Sequence, residues 1–106
     1  GLKPGTKFEM YGIQARVTPT TAEVFDGRGL AGSTLTMIRA VQTAVEQAEI
    51  PLVDAVYMAT LNPARQLGRD AEFGSLEKGK RADLVWFDNR YRVRGVWLDG
   101  ELRHLA

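Results

Sequence analysis

The sequence predicts a mixed α/β chain in which two β-rich ends flank a helical middle. Short extended runs separated by turn residues occupy residues 1–30. Apolar residues recur at three- and four-residue spacing in residues 31–70, and strand-like runs return in residues 71–106. A chain of 106 residues with 44% hydrophobic and 25% charged residues is long enough for one real core and has the composition of an ordinary globular protein.

The first third of the chain contains three short strand-like runs. They are Phe8–Tyr11, Ala15–Thr18 and Ala22–Phe25. Gly12 ends the first run, and Asp26-Gly27 is a turn signal after the third. Strands of this length are too short to be stable alone.

The middle third predicts a first helix that begins near the small residues before Leu35. Ser33 or Thr34 can cap it, because either hydroxyl can accept a hydrogen bond from a free amide of the first turn. Apolar side chains then recur on one face from Leu35 to Val45, and the pattern continues to about Glu49.

Two further helices are predicted before residue 70. Leu52–Thr60 is apolar nearly all round, so we expect this helix to be buried. Asn62 is the predicted N-cap of the third helix, Pro63 its first residue, and Gly68 the residue just past its end.

The last third opens with the sequence GSLEKGKRADLVWFD, which is a polar turn followed by an apolar strand. Gly79 anchors the turn, and the strand Ala82–Phe87 is apolar enough to be covered on both faces. Asp99-Gly100 lies between two strand-like runs and predicts a hairpin, because glycine tolerates positive φ.

Charge and composition exclude several classes of partner. The net charge is +1, which gives no electrostatic case for nucleic acid or a membrane surface. Arg90, Arg92 and Arg94 share one side of a predicted strand and are expected to form a solvated face. No apolar run approaches the ~20 residues that span a bilayer. Cysteine is absent, which excludes disulfides and fits a cytoplasmic location.

Few side chains are candidates for chemistry. His104 is the single histidine, and a lone histidine near a chain end is typically a surface residue. Aspartates such as Asp83, Asp88 and Asp99 sit at turns and strand ends, where structural acids are common. We therefore expect no catalytic residue and no metal ligand in this chain.

The segment Gly27–Ser33 is the exception. Small residues allow close approach to a ligand, and the amides of a following helix could bind an anionic or carbonyl-bearing group. The residues themselves leave two interpretations open, a ligand-contacting loop and a flexible connector that ends in a serine cap.

Three stretches resemble the N-acetylglucosamine-6-phosphate deacetylases of the amidohydrolase superfamily. They are LAGSTLTMIRAVQTAVE from Leu30, DAVYMATLNPARQLG from Asp54, and GSLEKGKRADLVWFD from Gly74 with the later VRGVWLDGE. Together they cover roughly residues 26–102. The closing signature is typical of the whole superfamily, whereas the LAGS–LTM combination favours the sugar deacetylases.

The resemblance implies a (β/α)₈ barrel with a small β-sandwich, and this chain would be its C-terminal part. Residues 1–70 would end the barrel, with a β insertion at 1–29 and helices at 33–68, and residues 71–106 would supply sandwich strands. The family's substrate-contacting backbone maps onto Leu30, Ala31 and Gly32.

The resemblance also implies the chemistry of a parent enzyme. That family removes acetate from N-acetylglucosamine 6-phosphate with a divalent metal, zinc or iron-like, held by upstream Glu and His residues. An Asp in a Thr-Asp-Ala motif is its general base, and this sequence lacks the motif. Because the chain also begins with Gly1 instead of Met, we expect an excised piece that is inactive alone and self-associates through exposed helical faces or strand edges.

Two alternatives remain open at this point. The chain could be a free-standing α/β binding or assembly module. It could also be the tail of another amidohydrolase, dihydroorotase-like or deaminase-like, since the closing signature occurs there too.

Overall fold

A computed structural model of the chain describes residues 2–25 and 29–106. The chain divides into two compact units, Gly1–Thr36 and Met37–Ala106. Each unit contains an antiparallel sheet and the second also contains helices, so the predicted mixed α/β class is confirmed. Among the described residues no helix is long and apolar enough to cross a membrane. The expected division of a parent enzyme at residue 70 stays a prediction.

The first unit is a four-stranded antiparallel sheet in which each strand pairs with the next along the chain. Its strands are β1 (Lys7–Met10), β2 (Ile13–Val17), β3 (Thr21–Val24) and β4 (Leu30–Ser33). Tyr11 and Gly12 join β1 to β2 with φ values of 54° and 77°. Two residues with positive φ form the tight turn that matches the twist of a hairpin. Tyr11 therefore belongs to the turn, and its predicted place in the strand is wrong.

Small side chains form the core of this sheet. Ala15 and Val17 on β2 are buried, and Ala22 on β3 is buried opposite Val17. The amide of Thr18 donates to the carbonyl of Thr21 at 2.8 Å, and the Thr18 hydroxyl accepts from the Thr21 amide at 3.0 Å. These bonds close the turn between β2 and β3. The predicted Asp26-Gly27 turn lies outside the described residues.

The second unit begins with three helices, each of which buries one small or branched residue. They are α1 (Met37–Glu46), α2 (Leu52–Ala59) and α3 (Leu61–Gln66). The buried residues are Val41 on α1, Ala55 on α2 and Ala64 on α3. Helix α1 packs against α2, and α2 packs against α3.

Two predicted helix starts are wrong by a few residues. Helix α1 begins at Met37 instead of Ser33 or Thr34, because Leu30–Ser33 is held in a strand by its pairing with β3. Helix α3 begins before Pro63, and this proline is tolerated because first-turn amides have no partner within the helix. Gly68 follows the end of α3 with φ 66°, so its predicted role as helix terminator is confirmed.

The expected burial of α2 is also wrong. Ala55 is buried, but the large side chains around it are exposed. They are Leu52, Val53, Tyr57 and Met58. A helix that is apolar on all sides needs a packing layer on each side, and within this unit α2 packs mainly against α1 and α3.

The second unit ends in a three-stranded antiparallel sheet of order β5-β6-β7. The strands are β5 (Leu84–Phe87), β6 (Val93–Leu98) and β7 (Glu101–Leu105). Asp99 and Gly100 form the turn between β6 and β7 with φ values of 52° and 80°, so the predicted hairpin is confirmed. Val85 and Trp86 remain 58% and 57% exposed. The prediction that this strand is covered on both faces is therefore wrong for this chain.

Candidate functional site

The predicted substrate-contacting residues Leu30, Ala31 and Gly32 lie on β4, at the edge of the first sheet. This corrects the expected loop. The strand is held from one side by β3, where Thr21 faces Ser33 and Ala22 faces Gly32. Because an edge strand has one unpaired side, backbone N–H and C=O groups of β4 remain available to a ligand.

A β-bulge interrupts the pairing of β4 within these three residues. Glu23 on β3 faces Leu30, while the preceding residue Ala22 faces Gly32, so Ala31 has no partner opposite it. Such a bulge changes the direction in which nearby groups point and is common next to binding sites.

The surface over this part of β4 is open within the described residues. The side chain of Leu30 is 70% exposed. A Cβ atom added to Gly32 would meet no atom within 4 Å. Packing inside the unit therefore does not require glycine at residue 32, and a ligand could approach its backbone closely.

The helix that was predicted to begin next to these residues begins later in the sequence, at Met37. The Ser33 hydroxyl accepts a hydrogen bond from the Leu35 amide at 3.0 Å, which forms a local turn instead of a helix cap. Residues 34–36 separate β4 from Met37, where α1 begins. The sequence signal for a ligand-contacting backbone therefore falls on a strand edge and not on first-turn helix amides.

The described part of the chain does not offer a metal centre. No three His, Cys, Asp or Glu side chains within it converge on a common point. His104 lies exposed on β7, opposite Val96 of β6. The residues present do not fit the divalent metal that the resemblance implies, so no metal-dependent step is assigned to them.

Among the acids in the described residues, Asp88 accepts the largest set of hydrogen bonds. Its Oδ1 accepts from the amides of Arg90 and Arg92 at 2.9 and 3.0 Å, and its Oδ2 accepts from the Nε atoms of Arg92 and Arg94 at 2.8 and 3.1 Å. Desolvation raises the pKa of Asp88, but the backbone bonds from Arg92 and Arg90 and the side-chain bonds outweigh it and hold the pKa well below its usual range.

A second aspartate has a similar structural role at the other end of β5. Asp83 Oδ1 accepts from the amide of Asp99 at 2.8 Å, and Asp83 Oδ2 lies 2.8 Å from the guanidinium of Arg81. These two acids fasten the ends of β5 to the neighbouring hairpin and loop. Both carboxylates already accept from backbone amides and pair with arginine side chains, which is the opposite of what a general base requires.

An open apolar cleft of about 850 Å³ lies in the second unit, between the helices and β5. Met37 and Val41 of α1, Tyr57 of α2, and Trp86 and Trp97 of the sheet line it. The sequence reasoning placed Tyr57 and Trp86 in elements expected to be buried and did not find the cleft. The apolar pattern of these two elements was the available signal.

The comparison with known families defines the class of protein. The sequence pattern of the amidohydrolase family matches residues 14–103, which extend across both units. The chain therefore belongs to the amidohydrolase family.

Individual relatives are more specific. An N-acetylgalactosamine-6-phosphate deacetylase of Escherichia coli O157:H7 is 37% identical over 99 residues, which are 93% of this chain and 26% of that protein. The crystal structure of N-acetylglucosamine-6-phosphate deacetylase from Pasteurella multocida matches with a TM-score of 0.83 and 34% identity, over 92% of this chain and 25% of that one. This chain thus spans about a quarter of each of these two proteins.

A relative with a different name matches a shorter segment. The 5-methylthioadenosine/S-adenosylhomocysteine deaminase of Moorella thermoacetica is 54% identical over 41 residues, which are 39% of this chain and 10% of that protein. High identity over a short segment therefore does not by itself distinguish deacetylases from deaminases.

Proposed function

We propose that this chain is the C-terminal part of a hydrolase that removes acetate from N-acetylglucosamine 6-phosphate. The products are glucosamine 6-phosphate and acetate. The observation that carries the proposal is the match to a sugar-phosphate deacetylase over 93% of the chain, through both units, at 37% identity. The match to a solved deacetylase covers nearly the same share of the chain.

In this proposal the backbone of Leu30, Ala31 and Gly32 contacts the amino sugar phosphate. The free edge of β4 supports the assignment, because unpaired N–H and C=O groups can bind the hydroxyl and amide groups of a sugar. The open space at Gly32 supports it as well. These residues would bind and orient the substrate, and they supply no acid or base.

The proposal places the divalent metal, zinc or iron-like, in the part of the parent enzyme that this chain does not include. In such enzymes the metal activates water or polarises the amide carbonyl. We expect the 106-residue chain alone to be inactive with or without added zinc. We also propose a cytoplasmic location for the parent, in keeping with a sequence without cysteine.

A chimera tests the activity directly. The 99 aligned residues of the Escherichia coli O157:H7 relative would be replaced by those of this chain. We expect the chimera to release acetate from N-acetylglucosamine 6-phosphate, and N-acetylgalactosamine 6-phosphate should be assayed beside it. A folded, metal-loaded chimera that releases no acetate from either sugar would contradict the proposal.

The same chimera tests the substrate-contacting backbone. Gly32→Val places a branched side chain in the open space over β4 and should raise KM about tenfold or more, which corresponds to about 1.4 kcal/mol of lost binding. Glu9→Val is the control, because Glu9 is exposed on β1, at the opposite edge of the same sheet. Equal KM values for the two variants would remove the assignment of Gly32 while leaving the deacetylase proposal standing.

A deaminase is the second candidate, supported by the identity over 41 residues. It differs in the product, because a deaminase releases ammonia from a nucleoside and a deacetylase releases acetate from a sugar. Ammonia release from 5-methylthioadenosine by the naturally linked full-length protein, without acetate release, would favour this candidate.

A further inference from the structure

Strand β4, which carries the proposed substrate contacts, is held in the first sheet from one side. Within the described residues β4 is the last strand of this sheet, and β3 is its single neighbour. An edge strand has no second partner to correct its position. The place of the β4 backbone in the sheet therefore depends on how firmly β3 is fixed.

The bulge in β4 makes this dependence stronger. Ala31 lies between two paired positions, where Ala22 faces Gly32 and Glu23 faces Leu30. A slip of one residue turns every side chain of the slipped segment to the opposite face of a sheet. The bulged arrangement therefore persists only if β3 is kept in one register.

Two threonine hydroxyls fix the start of β3. The hydroxyl oxygens of Thr18 and Thr21 are 2.8 Å apart and share a hydrogen bond. The Thr18 hydroxyl also accepts from the Thr21 amide at 3.0 Å, so its own proton is available to the Thr21 oxygen. The Thr21 hydroxyl can then donate to Oε1 of Glu23, which lies 3.4 Å away. Thr21 thus joins the turn before β3 to Glu23, the residue that faces Leu30 next to the bulge.

We propose that Thr21 is a positioning residue for the substrate-contacting backbone of β4. The inference rests on the proposed function, because it takes the backbone of Leu30, Ala31 and Gly32 as the part that contacts the amino sugar phosphate. The Thr21 hydroxyl itself touches no substrate atom. It holds β3 in the register that presents the bulged segment, so the N–H and C=O groups of β4 are in place before the substrate binds. A site that is ordered in advance loses less conformational freedom on binding.

Kinetics of the chimera with the Escherichia coli O157:H7 relative test this role. Thr21→Val keeps the branched shape that suits a strand and removes the hydroxyl. It should raise KM for the amino sugar phosphate about threefold to tenfold, the effect of one lost hydrogen bond, and change kcat less than about twofold. Thr21→Ser retains a hydroxyl and should return KM to within about twofold of the value for the unsubstituted chimera.

Thr20→Val is the matched control for the loss of a threonine hydroxyl. Thr20 is exposed in the same turn, and it contributes its backbone amide rather than its hydroxyl to the bonds described there. Its KM should stay within about twofold of the unsubstituted value, as expected for a surface substitution. Thr18→Val removes the other hydroxyl of the pair and should raise KM as Thr21→Val does. It replaces Thr21→Val if circular dichroism shows that the latter chimera is unfolded.

Several results would overturn the positioning role while the unsubstituted chimera remains active. They are equal KM values for Thr21→Val and Thr20→Val, a fall in kcat without a rise in KM, a raised KM that Thr21→Ser does not restore, and loss of folding in both Thr21→Val and Thr18→Val. An unsubstituted chimera that is folded and releases no acetate would contradict the proposed function, and the positioning role with it. Failure of the positioning role alone is therefore distinguishable from failure of the proposed function.

Discussion

Gly74→Ala is the substitution whose effect on the free energy of unfolding can be worked out most fully from the structure. Gly74 has φ 99°, a conformation that residues with a Cβ rarely adopt. An added Cβ would lie 2.8 Å from the Cβ of Ala64 and 3.2 Å from the Cα of Leu61. Ala64 is 2% exposed on α3, so neither contact can be relieved by moving a flexible side-chain end.

Gly79→Ala separates the cost of the backbone conformation from the cost of the close contact with α3. Gly79 has a similar φ of 93°, but a Cβ there would meet no atom within 4 Å. We expect Gly79→Ala to lower the free energy of unfolding by about 1–2 kcal/mol, from the backbone conformation alone. Gly74→Ala should add an overpacking cost of about 1–3 kcal/mol, for a total of about 2–5 kcal/mol.

Urea unfolding followed by circular dichroism, at one fixed low protein concentration, measures both variants. The double variant Gly74→Ala with Ala64→Gly removes the crowded pair of Cβ atoms. It should recover about 1 kcal/mol relative to the sum of the two single changes. Equal costs for Gly74→Ala and Gly79→Ala, or an additive double variant, would refute the close approach of Gly74 to α3.

Two further substitutions test the sheet of the second unit. Gly95→Ala would place a Cβ 2.6 Å from the Trp97 ring and 3.6 Å from the Trp86 ring, and the displaced Trp97 side chain should cost about 1–3 kcal/mol. Unchanged tryptophan fluorescence and thermal stability would contradict the contact. Asp88→Asn should destabilise the chain at neutral pH. The folded chain holds the pKa of Asp88 below its unfolded value of about 3.9, so the ionised carboxylate stabilises the fold above that pH. This stabilisation is lost as the pH falls and Asp88 becomes protonated. The unfolding free energy should therefore decline more steeply below about pH 4 in the unsubstituted chain than in the variant, and parallel pH profiles would count against this role.

The elements that the sequence predicted correctly are those determined by local chemistry. The Asp99-Gly100 hairpin requires two adjacent residues with positive φ, and those residue types alone indicate it. Gly68 ends α3 for the same kind of reason. By contrast, the sequence LAGS has little intrinsic preference for either helix or strand. Leu30–Ser33 forms a strand because it pairs with β3, a contact that the segment's own residues do not reveal.

Burial was predicted less well than secondary structure. Hydropathy indicated that α2 and β5 would be covered, yet Tyr57, Val85 and Trp86 are exposed in this chain. An apolar sequence shows that a side chain favours burial, but the layer that buries it must come from other residues. The environment of charged residues was also predicted incompletely. The spacing of Arg92 and Arg94 indicated a solvated face, and it did not indicate that both side chains donate to Asp88.

The two kinds of signature in this sequence therefore carry different information. In the closing segment, Gly74 permits contact with α3, Gly79 forms a turn and Asp88 fastens β5, so each residue serves architecture. Architecture is shared by enzymes with different substrates, which explains why this segment identifies the superfamily and not the reaction. Gly32 differs because nothing in its own unit requires a glycine there. Its open backbone leaves room for a ligand, so the proposed substrate contact depends on β4, whereas the deacetylase proposal depends on the match over 93% of the chain.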